Sequence, residues 1–162
     1  MRYIILHHTG GTEANSQADT SNHTFEIVDQ YHREKFNMQS ALGHWLGYHY
    51  FIDKQGRITQ ARKDTEEGAH TKGYNHEIGI GLAGNFDVTL PTIAQTESLK
   101  ALLTRLIVTH GTLEIVPHRK FSNKTCFGSK LSDNWAKNLV YNETVLEMVV
   151  PALKALLELL RK

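Results

Sequence analysis

Short apolar runs alternate with longer amphipathic segments along most of this chain. Apolar runs bounded by glycine, proline or polar residues are typical of β-strands. The pattern therefore predicts strands at residues 2–8, 48–52, 57–60, 78–84 and 113–116. The second and third of these flank a polar stretch that contains a glycine, which is typical of a β-hairpin.

Two segments have apolar residues at helical spacing. The first begins after Asn22 or Thr24, either of which is a suitable N-cap, and continues to Phe36. The second covers about residues 92–110, and Gly111 is a natural stop. Because strands and helices alternate, we expect an α/β protein with a single central mixed β-sheet flanked by helices.

The C-terminal segment, residues 142–162, has the spacing of an extra amphipathic helix, which Pro151 would kink or divide. Its charged residues, Glu147 and Lys154 among them, argue against a membrane span. We expect residues 1–140 to form the main domain and residues 141–162 a helical extension packed on it. Self-association and contact with a membrane surface are alternatives for this helix.

Composition and charge limit the classes of protein and partner. A chain of 162 residues that is 40% hydrophobic is long enough for one domain with a buried core. Its 18 basic and 17 acidic residues give no indication of a nucleic-acid partner. The apolar run before the first histidines is too short for a signal peptide or a transmembrane segment, so we expect synthesis in the cytoplasm without a signal peptide. The oligomeric state stays unknown.

His7, His118 and Cys126 are candidate metal ligands because each would lie where a strand ends and a loop begins. Hydrolytic zinc sites use three such side chains and leave a fourth position for water. His7 and His8 are neighbours on a strand and point to opposite faces, so only one of them can reach a given metal. The alternative for a histidine of this pair is a residue that ends a buried strand, and the alternative for Cys126 is a buried apolar thiol. Spacing alone does not distinguish these roles from metal binding.

Five short motifs follow one another along the chain: IILHHT at residues 4–9, GYHYFI at 47–52, GAHTKGYN at 68–75, IGIGLAG at 78–84, and PH at 117–118 with KTC at 124–126. In order and spacing, over roughly residues 2–135, they resemble the type 2 N-acetylmuramoyl-L-alanine amidases. That family includes short phage lysozymes of the amidase type and the peptidoglycan recognition proteins of animals.

The resemblance implies a zinc amidase catalytic domain that hydrolyses the amide between N-acetylmuramic acid and L-alanine in peptidoglycan or muropeptides. It implies that His7, His118 and Cys126 hold Zn2+, with an activated water in the fourth position. Tyr48 matches the active-site tyrosine. Lys124 matches a lysine of the phage-type branch, which would stabilise the oxyanion.

His70 and Asn75 lie in a motif that borders the substrate groove in relatives, so the resemblance implies substrate binding there. The chain departs from some bacterial relatives because residues 78–82 contain no glutamate to act as a base. Phe127 stands where proline commonly follows the cysteine. His49 is predicted to be structural, and the histidines without motif support are expected on the surface or in packing: His23, His32, His44, His76 and His110.

Three functions are compatible with these motifs. The first is a phage or prophage endolysin that acts on the cell wall after release. The second is an intracellular amidase that recycles muropeptides. The third is a peptidoglycan-binding module without activity, and members of that kind commonly lack the cysteine ligand, which is present here.

Overall fold

The computed structural model describes residues 1–141, and the elements alternate as the sequence predicts. The strands are β1 (Tyr3–His8), β2 (Tyr50–Ile52), β3 (Ile58–Gln60), β4 (Ile78–Leu82) and β5 (Glu114–Pro117). The helices are α1 (Phe25–Phe36), α2 (Ile93–His110) and α3 (Trp135–Tyr141), with a 3-10 turn at His118–Phe121. The amphipathic helix predicted for residues 142–162 lies outside the described residues.

The five strands form one mixed sheet in the order β3-β2-β4-β1-β5. β1 is parallel to both of its neighbours, β4 is parallel to β2, and only β3 is antiparallel. The predicted fold class is therefore confirmed. Since β1 lies between β4 and β5 and is parallel to both, the carboxyl ends of these three strands meet at one edge of the sheet.

One face of the sheet packs on α2 and α3. Alternate residues of β1 and β4 enter this core together with the apolar stripe of α2; they are Ile4, Leu6, Ile78, Ile80, Leu82, Leu99, Leu102, Leu103 and Leu106. A capping box of Thr92 and Gln95 begins α2. The sequence pattern did not predict α3, because seven residues are too few to show a helical period; its Ala136 and Val140 complete this core.

The opposite face of the sheet is only partly covered. Tyr3 and Ile5 pack with Val116 near the start of β1, and Val28 of α1 packs with Phe51 of β2. His7 lies on the same face as Tyr3 and Ile5 because side chains alternate along a strand. A groove lies on this face at the carboxyl end of β1, where His7, Tyr48 and His118 line it.

The predicted hairpin is present, but its first strand begins later than predicted. Tyr48 and His49 precede β2, and the His49 carbonyl accepts from the successive backbone N–H groups of Ala61 and Arg62, which interrupts the regular pairing. The His49 ring joins two other segments. It accepts a hydrogen bond from the backbone N–H of Gly79 at 3.0 Å and faces the carbonyl oxygen of Glu66 at 2.8 Å. His49 is thus structural, as predicted. Across residues 1–141, no helix combines the length and the apolar character needed to cross a membrane.

Candidate metal centre and active site

Three predicted ligand side chains converge at the floor of the groove. His7 is the penultimate residue of β1, His118 directly follows β5, and Cys126 lies in the next loop. One ligand atom from each of the three lies within 4.8 Å of the other two. The Sγ atom of Cys126 is 3.8 Å from Nδ1 of His7, and the His7 and His118 ring centroids are 4.5 Å apart.

These donors fit a metal centre of the zinc type. Tetrahedral bonds of about 2.0 Å to nitrogen and about 2.3 Å to sulfur place ligand atoms roughly 3.4 to 3.6 Å apart, so a small inward movement would close the cluster. Two imidazoles and one thiolate suit a borderline-soft ion better than magnesium or calcium. Three protein donors also leave one coordination position for water.

The protonation of these groups suits metal binding. Burial lowers the pKa of His7 well below its usual value, and burial with the charge of Lys124 lowers the pKa of His118. Both rings are neutral at pH 7 and can offer a lone pair. Burial raises the pKa of the Cys126 thiol to about 12 in the metal-free protein, so a metal must displace that proton.

His8 points away from the three donors. Its Nδ1 atom accepts a hydrogen bond from the backbone N–H of Phe86 at 2.9 Å. Only His7 of the His7–His8 pair therefore faces the other two donors, as expected from the alternation of side chains along a strand.

The loop that carries Cys126 is fixed by two residues that the sequence did not single out. The backbone N–H of Arg119 donates to the carbonyl of Cys126 at 2.6 Å, and its guanidinium donates to the carbonyl of Leu131 at 2.6 Å. The Thr125 hydroxyl donates to the carboxylate of Asp87 at 2.7 Å. In the sequence, only the position of Arg119 directly after His118 could have indicated this role.

Tyr48 lies beside the ligand cluster, with its ring centroid 4.9 Å from that of His7. Burial raises the pKa of Tyr48, so its hydroxyl stays protonated and can donate a hydrogen bond. The ring of His32 lies 5.1 Å away, and its Nδ1 atom accepts from the backbone N–H of Gly47 at 2.8 Å. His32 is a packing residue, as predicted, and it also fixes the segment that carries Tyr48.

The remaining predicted site residues are placed differently. Lys124 is exposed and lines the same groove as the three donors and Tyr48. His70 also lines it, with its ring centroid 5.1 Å from that of His7. Asn75 is not among the groove-lining residues, because its carboxamide oxygen accepts from the backbone N–H groups of His70 and Thr71 at 2.9 and 2.8 Å. Substrate binding by His70 and Asn75 stays a prediction.

A family model described as N-acetylmuramoyl-L-alanine amidase matches residues 1–129 of this chain. The chain belongs to this amidase family. The predicted recognition is therefore confirmed.

Relatives of this amidase include phage and animal proteins. The endolysin of Escherichia phage T7 is 32% identical over 120 residues, which cover 68% of this chain and 74% of the phage protein. Peptidoglycan-recognition protein 2 of Holotrichia diomphalia is 31% identical over 104 residues, which cover 64% of this chain and 52% of that protein. The match thus spans about half the length of the animal protein.

A solved structure shares the fold. The N-acetylmuramoyl-L-alanine amidase LysC from Clostridium intestinale has a TM-score of 0.68 and 26% identity, over 84% of this chain and 82% of that chain.

The structure explains why β4 offers no acid to the groove of this amidase. Its residues on the groove face are Gly79 and Gly81, and aromatic rings occupy the space where side chains would lie. A Cβ atom at Gly81 would be 2.3 Å from Cδ2 of Tyr48, and one at Gly79 would be 2.7 Å from Cδ2 of His70. The strand therefore needs glycine at both positions to hold these rings.

Gly81→Ala is expected to displace the Tyr48 ring and lower amidase activity by about 100-fold, because misplacing a catalytic group by about 1 Å has effects of this size. Metal binding should be retained, since no donor atom is touched. Steady-state kinetics and metal analysis of the purified variant would measure both. In a Tyr48→Ala background the clash is absent, so Gly81→Ala should cause no further loss; an equal loss in both backgrounds would contradict the assignment.

The metal-free amidase is expected to lose stability in acid. Burial lowers the pKa of His8 and of His32 to about 4, and these residues are only 7% and 5% exposed. Between pH 6.5 and 4 the unfolded chain binds protons that the folded chain does not. The contribution of the two neutral rings to the free energy of unfolding should be fully present above pH 6.5. As the pH falls from 6.5 to 4, this contribution should decrease by up to about 1.4 kcal/mol per pH unit for each ring.

Urea unfolding of the metal-free protein at pH 7 and pH 4.5 measures this dependence. An unchanged free energy of unfolding would show that the two rings are not held neutral by burial.

Proposed function

We propose that this chain is a zinc-dependent N-acetylmuramoyl-L-alanine amidase that hydrolyses the amide between N-acetylmuramic acid and L-alanine in peptidoglycan. His7, His118 and Cys126 would hold Zn2+. The observation that carries the proposal is the convergence of these three donors within 4.8 Å, at the floor of a groove that Tyr48 and Lys124 also line.

The side chains of the groove suit this reaction. Bound zinc supplies Lewis acidity, which makes a coordinated water a nucleophile near neutral pH. The protonated hydroxyl of Tyr48 donates a hydrogen bond to the attacking water or to the oxygen of the attacked carbonyl. The ammonium group of Lys124 stabilises the negative charge that develops on that oxygen. β4 presents only glycines to the groove and so supplies no carboxylate base, and the proton lost by the water would pass to solvent. The Tyr48 hydroxyl and the Lys124 ammonium group carry protons, so either can donate one to the leaving nitrogen of L-alanine.

The biological setting that we propose is lysis by a phage or prophage endolysin that acts on the cell wall after release. Similarity to the endolysin of phage T7 supports it. Recognition of peptidoglycan without cleavage is the second candidate, and similarity to a peptidoglycan-recognition protein favours it. The complete donor set, with Cys126 present, favours hydrolysis over recognition alone.

Zinc-loaded protein incubated with purified peptidoglycan tests the proposal. We expect new amino groups on L-alanine and, by mass spectrometry, stem peptides released from intact glycan strands. Binding to peptidoglycan without new amino groups would favour the recognition role. Parallel reactions with intact sacculi and with soluble muropeptides separate an endolysin from an intracellular recycling enzyme.

A further inference from the structure

The His70 ring lies between a predicted metal ligand and a backbone carbonyl. Its Nδ1 atom is 3.1 Å from Nε2 of His7, and its Nε2 atom is 3.0 Å from the carbonyl oxygen of Glu77. A carbonyl oxygen only accepts hydrogen bonds, so Nε2 of His70 must carry the hydrogen. In a neutral ring, Nδ1 of His70 is then an acceptor.

This arrangement determines which nitrogen of His7 is free. Since Nδ1 of His70 accepts, Nε2 of His7 donates and carries the hydrogen of that ring. The lone pair of His7 is then on Nδ1, the atom that faces Sγ of Cys126. The hydroxyl of Thr71, 3.4 Å from Nε2 of His7 and 3.0 Å from Nδ1 of His70, is compatible with this hydrogen-bond direction.

The position of the His70 ring is itself fixed. It sits in a slot between two glycines, because a Cβ atom at Gly68 or at Gly79 would lie 2.6 or 2.7 Å from its Cδ2 atom. The carboxamide of Asn75 accepts from the backbone N–H groups of His70 and Thr71, which holds the loop in place. Both ring nitrogens of His70 therefore have partners inside the protein.

We propose that His70 is a positioning residue that holds His7 in the tautomer whose Nδ1 lone pair faces the metal, and that Asn75 supports it through the loop backbone. The inference rests on the proposed zinc site. It gives His70 and Asn75 a role in metal binding that differs from direct contact with substrate. Partners of this kind fix the orientation and tautomer of histidine ligands in metal sites.

Two substitutions at His70 separate positioning from packing. In His70→Asn the side-chain oxygen takes the place of Nδ1 and can still accept from His7, whereas His70→Leu fills similar space and cannot accept. Chelator competition should show zinc affinity weakened by about 10- to 100-fold in His70→Leu and largely restored in His70→Asn. His76→Leu, an exposed histidine of the same loop, is the matched control and should bind zinc as the parent does.

Nitrogen-15 NMR of the imidazoles in the metal-free protein is the second readout, and it does not depend on activity. We expect His7 protonated on Nε2 in the parent and in His70→Asn, and a shift towards the other tautomer in His70→Leu. A parent protein with His7 protonated on Nδ1 would overturn the inference, even if His70→Leu fails to fold.

The outcomes distinguish the inference from the proposed function. A parent protein that binds no zinc contradicts the zinc site. A parent that binds zinc, together with a folded His70→Leu variant of equal zinc affinity and unchanged His7 tautomer, contradicts the positioning role alone.

Discussion

Replacing Cys126 with alanine is expected to abolish amidase activity and to weaken zinc binding by more than about 100-fold. Loss of a residue that only supports a ligand already weakens metal binding by about 10- to 100-fold, so loss of a ligand should have a larger effect. With two donors left, His7 and His118, the site can neither retain zinc firmly nor activate water. Metal analysis after dialysis, together with release of L-alanine amino groups, measures both losses.

Two comparisons control for damage to the fold. Cys126→Ser keeps the size of the side chain but offers a hydroxyl, a much weaker ligand than thiolate, so it should also lose zinc. In the metal-free state the free energy of unfolding of both variants should lie within about 1 kcal/mol of the parent value, because only one partly buried atom changes. Full activity of Cys126→Ala would refute the assignment of this residue as a ligand.

Lys124→Ala is expected to retain zinc and to lose about 100- to 1,000-fold in kcat. The side chain is exposed and lines the groove. In the proposed mechanism it would supply a positive charge where the oxyanion forms. Removal of one group that stabilises an oxyanion has effects of this size. Steady-state kinetics on soluble muropeptide, with metal content measured on the same samples, tests the prediction.

Lys120→Ala is the matched control for charge. Lys120 is also an exposed lysine near His118, but it pairs with the carboxylate of Glu114 at the surface and does not line the groove. Its loss should leave kcat within about twofold, since exposed ion pairs contribute little. Loss of zinc from Lys124→Ala would mean that the lysine acts on the metal site and not on the oxyanion.

Much of the fold could be predicted from local patterns. The apolar runs and the hairpin pattern identified the five strands of the described residues. Of the two N-caps that the sequence allowed, Thr24 begins α1, and Gly111 ends α2 as predicted. The parallel central strands explain why residues far apart in sequence meet at one sheet edge. His7, His118 and Cys126 do converge there, as predicted, and their role as zinc ligands stays a prediction.

Other features depend on tertiary contacts and have no local signal. Tyr48 has the apolar sequence neighbours of a strand residue, but β2 begins only at Tyr50, because the His49 carbonyl accepts from both Ala61 and Arg62 and interrupts the regular pairing. The two nitrogen contacts of His70 join segments that are distant in the chain, so no spacing rule could indicate them. Gly79 and Gly81 were recognised only as positions without an acid, and their purpose is visible only with the rings packed above them.

Anomalous diffraction at the zinc edge from crystals of zinc-loaded protein would locate the metal ion relative to its three proposed ligands. We expect one strong peak about 2.0 to 2.1 Å from a nitrogen of His7 and of His118 and about 2.3 Å from Sγ of Cys126, with a solvent oxygen as the fourth ligand. A zinc ion bound elsewhere, or a site that excludes any one of these three side chains, would contradict the proposed zinc site.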